Sequence, residues 1–212
     1  MKKLSLMILF VAVTAMSFGQ ISATLHNFVG DSWNTMSSNK SCGPCHTPHN
    51  ALVSTDAPLW SHAATANAGS FAVYTNTGTL NAIVGQPSGV SLKCLGCHDG
   101  SVNLNAHVGG ANTASLIGSV NAAADLGTDL SNDHPISFTY DAALATADGG
   151  LFDPTTTVSG LGGNINVDLL AGVGNDQMEC SSCHDPHGVT GVSDLLRKDN
   201  TNSELCLTCH NK

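Results

Sequence analysis

Every cysteine of this chain stands in one pattern. The eight fall into four copies of C-x-x-C-H: Cys42-Gly-Pro-Cys45-His46, Cys94-Leu-Gly-Cys97-His98, Cys180-Ser-Ser-Cys183-His184 and Cys206-Leu-Thr-Cys209-His210. On one helical turn residues i, i+3 and i+4 share a face, so each copy presents two thiols and an imidazole in the same direction. A zinc ribbon uses paired C-x-x-C knuckles but needs no His directly after each pair. A disulfide framework suits an exported chain but has no reason to repeat one spacing four times. A thioredoxin-like redox pair occurs once. His makes up only 10 of 212 residues, so its place after all four pairs is not chance.

The pattern is the attachment signature of c-type haem. Two thiols meet the two vinyl groups on one side of a porphyrin while the His turns its ring to the iron. Four covalently bound haem c groups are therefore expected, on Cys42 and Cys45, Cys94 and Cys97, Cys180 and Cys183, and Cys206 and Cys209, with His46, His98, His184 and His210 as proximal ligands. This also answers a difficulty of composition. Aromatic residues are 5% and charged residues 11% of the chain, so little apolar side-chain area is on hand to drive folding. Four flat apolar macrocycles supply it. The expected fold is that of a multihaem cytochrome c: mostly irregular coil, short helices at the haem sites, a few short strands elsewhere, and a haem stack as the core.

Six His remain for the far sides of the irons: His26, His49, His62, His107, His134 and His187. Beyond the N-terminal apolar run the only Met are Met36 and Met178. Met ligation raises a haem's potential and a second imidazole leaves it low, so bis-His ligation and low potentials are the economical reading. His49 and His187 share a context, C-x-x-C-H-x-P-H, at Cys42–His49 and Cys180–His187. Three residues from its own proximal His, each can reach only a neighbouring iron, which places two macrocycles nearly in contact. His134, extended by the following Pro135, and His26, which would pin a loose terminus, complete the expected set of distal ligands. His62 reads as a fifth candidate or a packing partner of Trp60, and His107, in a Gly-flanked loop, as a surface residue.

Residues 1–19 read as a secretory signal peptide: Lys2 and Lys3, an apolar run from Leu4 to Phe18, and a cleavage point after Gly19 or alternatively after Ala23. The run is short for a membrane span, and no later segment approaches one, so no transmembrane segment is expected after signal removal. The product is expected in the periplasm or outside the cell. Residues 20–212 read as a single tetrahaem domain, with 20–107 holding haems 1 and 2 and 179–212 holding haems 3 and 4. Between them, 108–178 is a haem-poor insertion of short strands, around 136–140 and 165–169, and long loops that insulate the haems. Asn202 and Ser203 are expected to cap a final helix. The net charge of −9 becomes more negative without Lys2 and Lys3, which speaks against nucleic acid as partner.

The phrases CGPCHTPHN (42–50), CLGCHDG (94–100), NDHP (132–135) and CSSCHDPHG (180–188) resemble exported multihaem cytochromes with doubled C-x-x-C-H motifs. More narrowly they resemble the tetrahaem and hexahaem cytochromes that polymerise into extracellular filaments of metal-reducing bacteria. The resemblance leaves out 108–131 and 141–178. It implies continuous haem stacking, bis-His ligation and long-range electron transfer. It also implies head-to-tail assembly in which one distal His comes from the adjacent subunit, here His49 or, second, His26.

Two classes of function remain. A chain with every iron closed by two imidazoles carries electrons to redox partner proteins or extracellular acceptors and is not an enzyme. It acts as a filament subunit or as a soluble periplasmic shuttle. The alternative is an oxidoreductase with one open haem. The multihaem nitrite reductases keep such a haem on C-x-x-C-K, a motif this chain lacks.

Overall fold

The computed structural model describes residues 20–38, 40–75, 78, 80–111 and 115–211. The expected signal peptide, 1–19, lies outside the described residues. Most of the described chain is coil and turn. Six short α-helices punctuate it: α1 (Ser91–His98), α2 (Ile117–Val120), α3 (Ala142–Asp148), α4 (Ile165–Asp168), α5 (Cys180–Cys183) and α6 (Cys206–Cys209). Two strands, β1 (Phe138–Thr139) and β2 (Gln177–Met178), form a two-residue antiparallel ladder in which Phe138 faces Met178. Among the described residues no helix is long and apolar enough to cross a membrane.

The segment 108–178 departs from expectation. It is more helical than stranded, and Ile165–Asp168, whose alternating pattern suggested a strand, is helical. Four residues satisfy a period of 2 and a period of 3.6 equally well, so hydrogen bonding decides. Asn164 is extended, and the Asp168 carboxylate folds back to accept from the Ser159 hydroxyl and from the Gly163 amide at 2.8 Å, closing a tight loop. Ile165, fully buried, points into a cluster with Phe138, Tyr140, Ala145, Leu169, Leu170 and Met178. Burying each large side chain of that set contributes about 1.5–3 kcal/mol. The insertion thus has a polypeptide core of its own.

That core also props up the last C-x-x-C-H. Tyr140, 1% exposed, donates its hydroxyl to the Phe152 carbonyl at 2.6 Å. The Phe152 amide in turn donates to the Cys209 carbonyl at 2.9 Å, and Asn211 donates to Gly150 at 2.8 Å. A smaller cluster of Phe71, Leu95 and Leu130 sits under α1.

Candidate haem-binding sites

Each of the four motifs closes one turn of helix. The amides of His46, His184 and His210 donate to the carbonyls of Cys42, Cys180 and Cys206 at 2.8, 3.0 and 3.0 Å. The second motif lies within α1, and the third and fourth are α5 and α6. The first is a turn rather than a helix. The expected caps of α6 are corrected: Asn202 and Ser203 lie in a preceding 3₁₀ turn at positive φ, and the side chain of Asn200 accepts from the Leu205 amide at 3.1 Å instead.

All eight cysteines are free thiols. Burial pushes Cys45 up to about 11, Cys97 up to about 12 and Cys209 up to about 11, so these sulfurs stay protonated at neutral pH. Among the described residues no group of three or more His, Cys, Asp or Glu is gathered as a bare metal ion requires. Two thiols and one imidazole on each turn suit covalent attachment of a c-type haem, the thiols to its vinyl groups and the imidazole to its iron.

The proximal imidazoles are oriented by backbone carbonyls. Nδ1 of His46 donates to Pro58 at 2.8 Å, Nδ1 of His98 to Ala124 at 2.8 Å, and Nδ1 of His184 to Asp194 at 3.2 Å. A carbonyl can only accept, so the proton sits on Nδ1 and the Nε2 lone pair is bare, the tautomer an iron requires.

The two C-x-x-C-H-x-P-H octets are set in the same frame. In the first, Thr47 donates to Leu59, Ser61 donates to Cys45, and Leu59 has φ 53°. In the second, Asp185 donates to Leu195, Arg197 donates to Cys183, and Leu195 has φ 57°. A loop returns beside each motif and hands a carbonyl to its proximal ring. The sequence repeat is thus also a repeat of hydrogen bonding.

Imidazoles of the expected distal set stand opposite three proximal ones. The ring centroids of His46 and His187 are 6.1 Å apart, those of His26 and His98 6.1 Å, and those of His134 and His210 6.3 Å. Two imidazoles bonded to one metal ion at about 2 Å each, with each ring centre roughly 1.1 Å behind its nitrogen, have centroids about 6.2 Å apart. The observed spacings fit an iron between each pair. The far rings are held as the near ones are: Nδ1 of His26 faces the Pro186 carbonyl at 3.1 Å, Nδ1 of His134 the Pro135 carbonyl at 2.9 Å, and Nδ1 of His187 lies 3.5 Å from the Asp185 carboxylate. Burial, then the nearby His98 ring, holds His26 below the usual histidine range, so it is neutral and free to ligate.

His184 and His49 stand apart from this scheme. Both are exposed, and among the described residues neither makes a ring contact with another imidazole, although His184 lies within electrostatic reach of His26.

The two remaining histidines are not surface groups. His62 is 1% exposed and both ring nitrogens meet carbonyls, Nδ1 that of Ala63 at 2.9 Å and Nε2 that of Asn103 at 3.1 Å, beside Cys97 Sγ at 3.4 Å. It packs the second motif from behind. His107, expected at the surface, is buried at 8% and pairs its backbone with that of His62. Flanking glycines had marked it as loop; Gly110 in fact lets the chain fold tightly over the ring, since a Cβ there would sit 2.9 Å from His107 Cε1.

One group escaped the sequence reading altogether. Glu179, directly before Cys180, is 3% exposed and caps α5 through a reciprocal bond with Ser182. Its carboxylate accepts from the hydroxyls of Ser91, Ser137 at 3.0 Å and Ser88 at 3.4 Å. The Cys180 amide donates to Ser91 Oγ at 3.0 Å, and the Cys94 and Cys180 thiols lie close enough to perturb each other's ionisation. The second and third motifs therefore meet at this carboxylate.

Compared with known proteins, the chain matches no curated protein. The protein-family model described as the doubled CXXCH motif matches residues 172–212, the region of the last two C-x-x-C-H turns. That match, with the turn geometry, supports a multihaem c-type cytochrome that carries covalently bound c-type haem and takes part in electron transfer.

Proposed function

We propose that this protein is an exported tetrahaem electron carrier. Three irons are closed within the chain by His46 and His187, His98 and His26, and His210 and His134. The fourth, on His184, is closed by His49 of another copy. The observation that supports this reading is the contrast among the imidazoles of the described residues: three pairs with ring centroids 6.1 to 6.3 Å apart, beside an exposed His184 and an exposed His49 that make no ring contact with another imidazole. A donor on one face and an acceptor on another make a heterologous contact, which repeats head to tail without closing. Filament subunit is the form this favours.

With two imidazoles on every iron no coordination position is open to substrate, so the activity is electron transfer rather than catalysis at iron. A second imidazole in place of Met keeps the potentials low. The second and third motifs are tied together by the Cys180 amide donating to Ser91 Oγ at 3.0 Å, which supports short electron steps along the set.

The test is His49→Ala in the secreted holo-protein, followed by electron microscopy and the ferric spectrum. The account expects wild-type filaments with low-spin haem only, and variant monomers in which one haem of four is high-spin. Wild-type particles that stay monomeric and wholly low-spin would return His49 to its own chain and leave the soluble shuttle. Wild-type protein with one high-spin haem that binds carbon monoxide would favour the oxidoreductase.

A further inference from the structure

We propose that Glu179 is a proton-binding site coupled to reduction of the haems attached at Cys94 and Cys180; this rests on the electron-carrier reading above. The geometry sets the carboxylate between the two attachment turns. It precedes Cys180 in sequence and is tied to Ser91, one helical turn before Cys94. A buried carboxylate normally has a cation or is neutral. Among the described residues Glu179 forms no ion pair.

The groups that face it are few. From its own element comes the Cys180 thiol, which loses its acid proton once it is a thioether. Helix α1 carries Lys93, which makes no ion pair with the carboxylate. The 86–89 turn and the Ile136-Ser137-Phe138 segment contribute no charged side chain. The charge that changes nearby during function is therefore that of the irons.

A route for the proton is present. Ser88 is exposed, and its hydroxyl reaches Glu179 Oε1 from the solvent side. Gly89, at φ +50°, closes the turn over the carboxylate; a Cβ there would lie 3.2 Å from Oε1, so the close approach depends on glycine. Burial pushes the carboxyl up from its ordinary range even against the three serine donors, so the enclosure seen in the geometry favours the protonated form.

The balance is one electron and one proton. An external one-electron donor, a redox protein, reduces a ferric centre to ferrous and removes one positive charge. The Ser88 O–H then gives its proton to Glu179 and is restored by a proton from a solvent hydronium ion, which leaves as water; the net change is one O–H bond formed on the carboxylate and one broken in hydronium. On reoxidation the electron passes to the acceptor and the proton returns to solvent.

The experiment is a spectropotentiometric titration of the haem-loaded protein over a pH series spanning the carboxyl and histidine ranges, for wild type, Glu179→Gln and Ser137→Ala. In wild type one haem's midpoint falls as pH rises, approaching at most 59 mV per tenfold change in proton concentration. Glu179→Gln flattens that segment while the low-spin spectrum is retained. Ser137→Ala removes one donor from the carboxylate, strengthens its hold on the proton, and moves the segment to higher pH; this holds even if the Gln variant fails to fold. A loaded, low-spin Gln variant with the wild-type slope overturns the proposal, as does an unmoved segment in Ser137→Ala. A colourless protein overturns the electron-carrier reading, and this one with it.

Discussion

At the scale of single residues, the proposed function places the chemistry in the second axial ligands, and the sequence alone offered candidates for them. The octet repeat and the His-Pro dipeptide singled out His49, His187 and His134, because chain stiffness and spacing limit what such rings can reach. Burial is a tertiary property, so His107 read as a surface residue in the sequence and is enclosed in the structure. Glu179 carried no signal, since the hydroxyls that surround it come from Ser88, Ser91 and Ser137, far away in the chain. His26→Ala, His134→Ala and His187→Ala should each convert one haem of four to high spin, read from the ferric spectrum. His62→Gln, whose parent ring is enclosed between the Ala63 and Asn103 carbonyls, should leave the spin state unchanged. Glu179 also bears on stability. Its folded carboxyl titrates above the unfolded value, so the protonated form favours the fold. That contribution is full below the unfolded carboxyl range and is lost as pH rises through the raised one. Denaturant unfolding across that window should show wild type losing stability while Glu179→Gln stays flat.

At the scale of elements, the helices that bear the motifs are too short to be stable alone and depend on what they pack against. The insertion supports the last motif: Tyr140 reaches the carbonyl of Phe152, whose amide holds Cys209. Tyr140→Phe should cost about 1–2 kcal/mol, measured by chemical unfolding, and should weaken the last haem site before the other three. α3 is capped by Asp141, whose side chain accepts from the Leu144 amide at 2.8 Å, and it ends on Gly149 at φ 69°. Asp141→Ala should cost about 1 kcal/mol with no change in the haem spectrum, which separates cap from site. Strand and helix could not be told apart at 165–169 because a run so short is decided by the Ser159 and Gly163 contacts to Asp168. At the motifs local sequence sufficed, because cysteines three apart followed by His define the turn themselves.

At the scale of the whole molecule, coil with short helices was readable from scarce large side chains, and the existence of two apolar clusters was not. Few aromatics do not preclude a core when Phe71, Phe138, Tyr140 and Trp33 are nearly all buried. The net charge of −9, to which haem propionates add, favours partners with basic faces. Association rates with such partners should fall as ionic strength rises, measurable by stopped-flow reduction. The whole account turns on an iron clamped between two imidazoles at every C-x-x-C-H, and the ferric electron paramagnetic resonance spectrum of the secreted wild-type protein addresses that most directly. Low-spin signals alone, integrating to four irons per chain, are the predicted result. A high-spin signal in the assembled protein, or no haem signal at all, would contradict it.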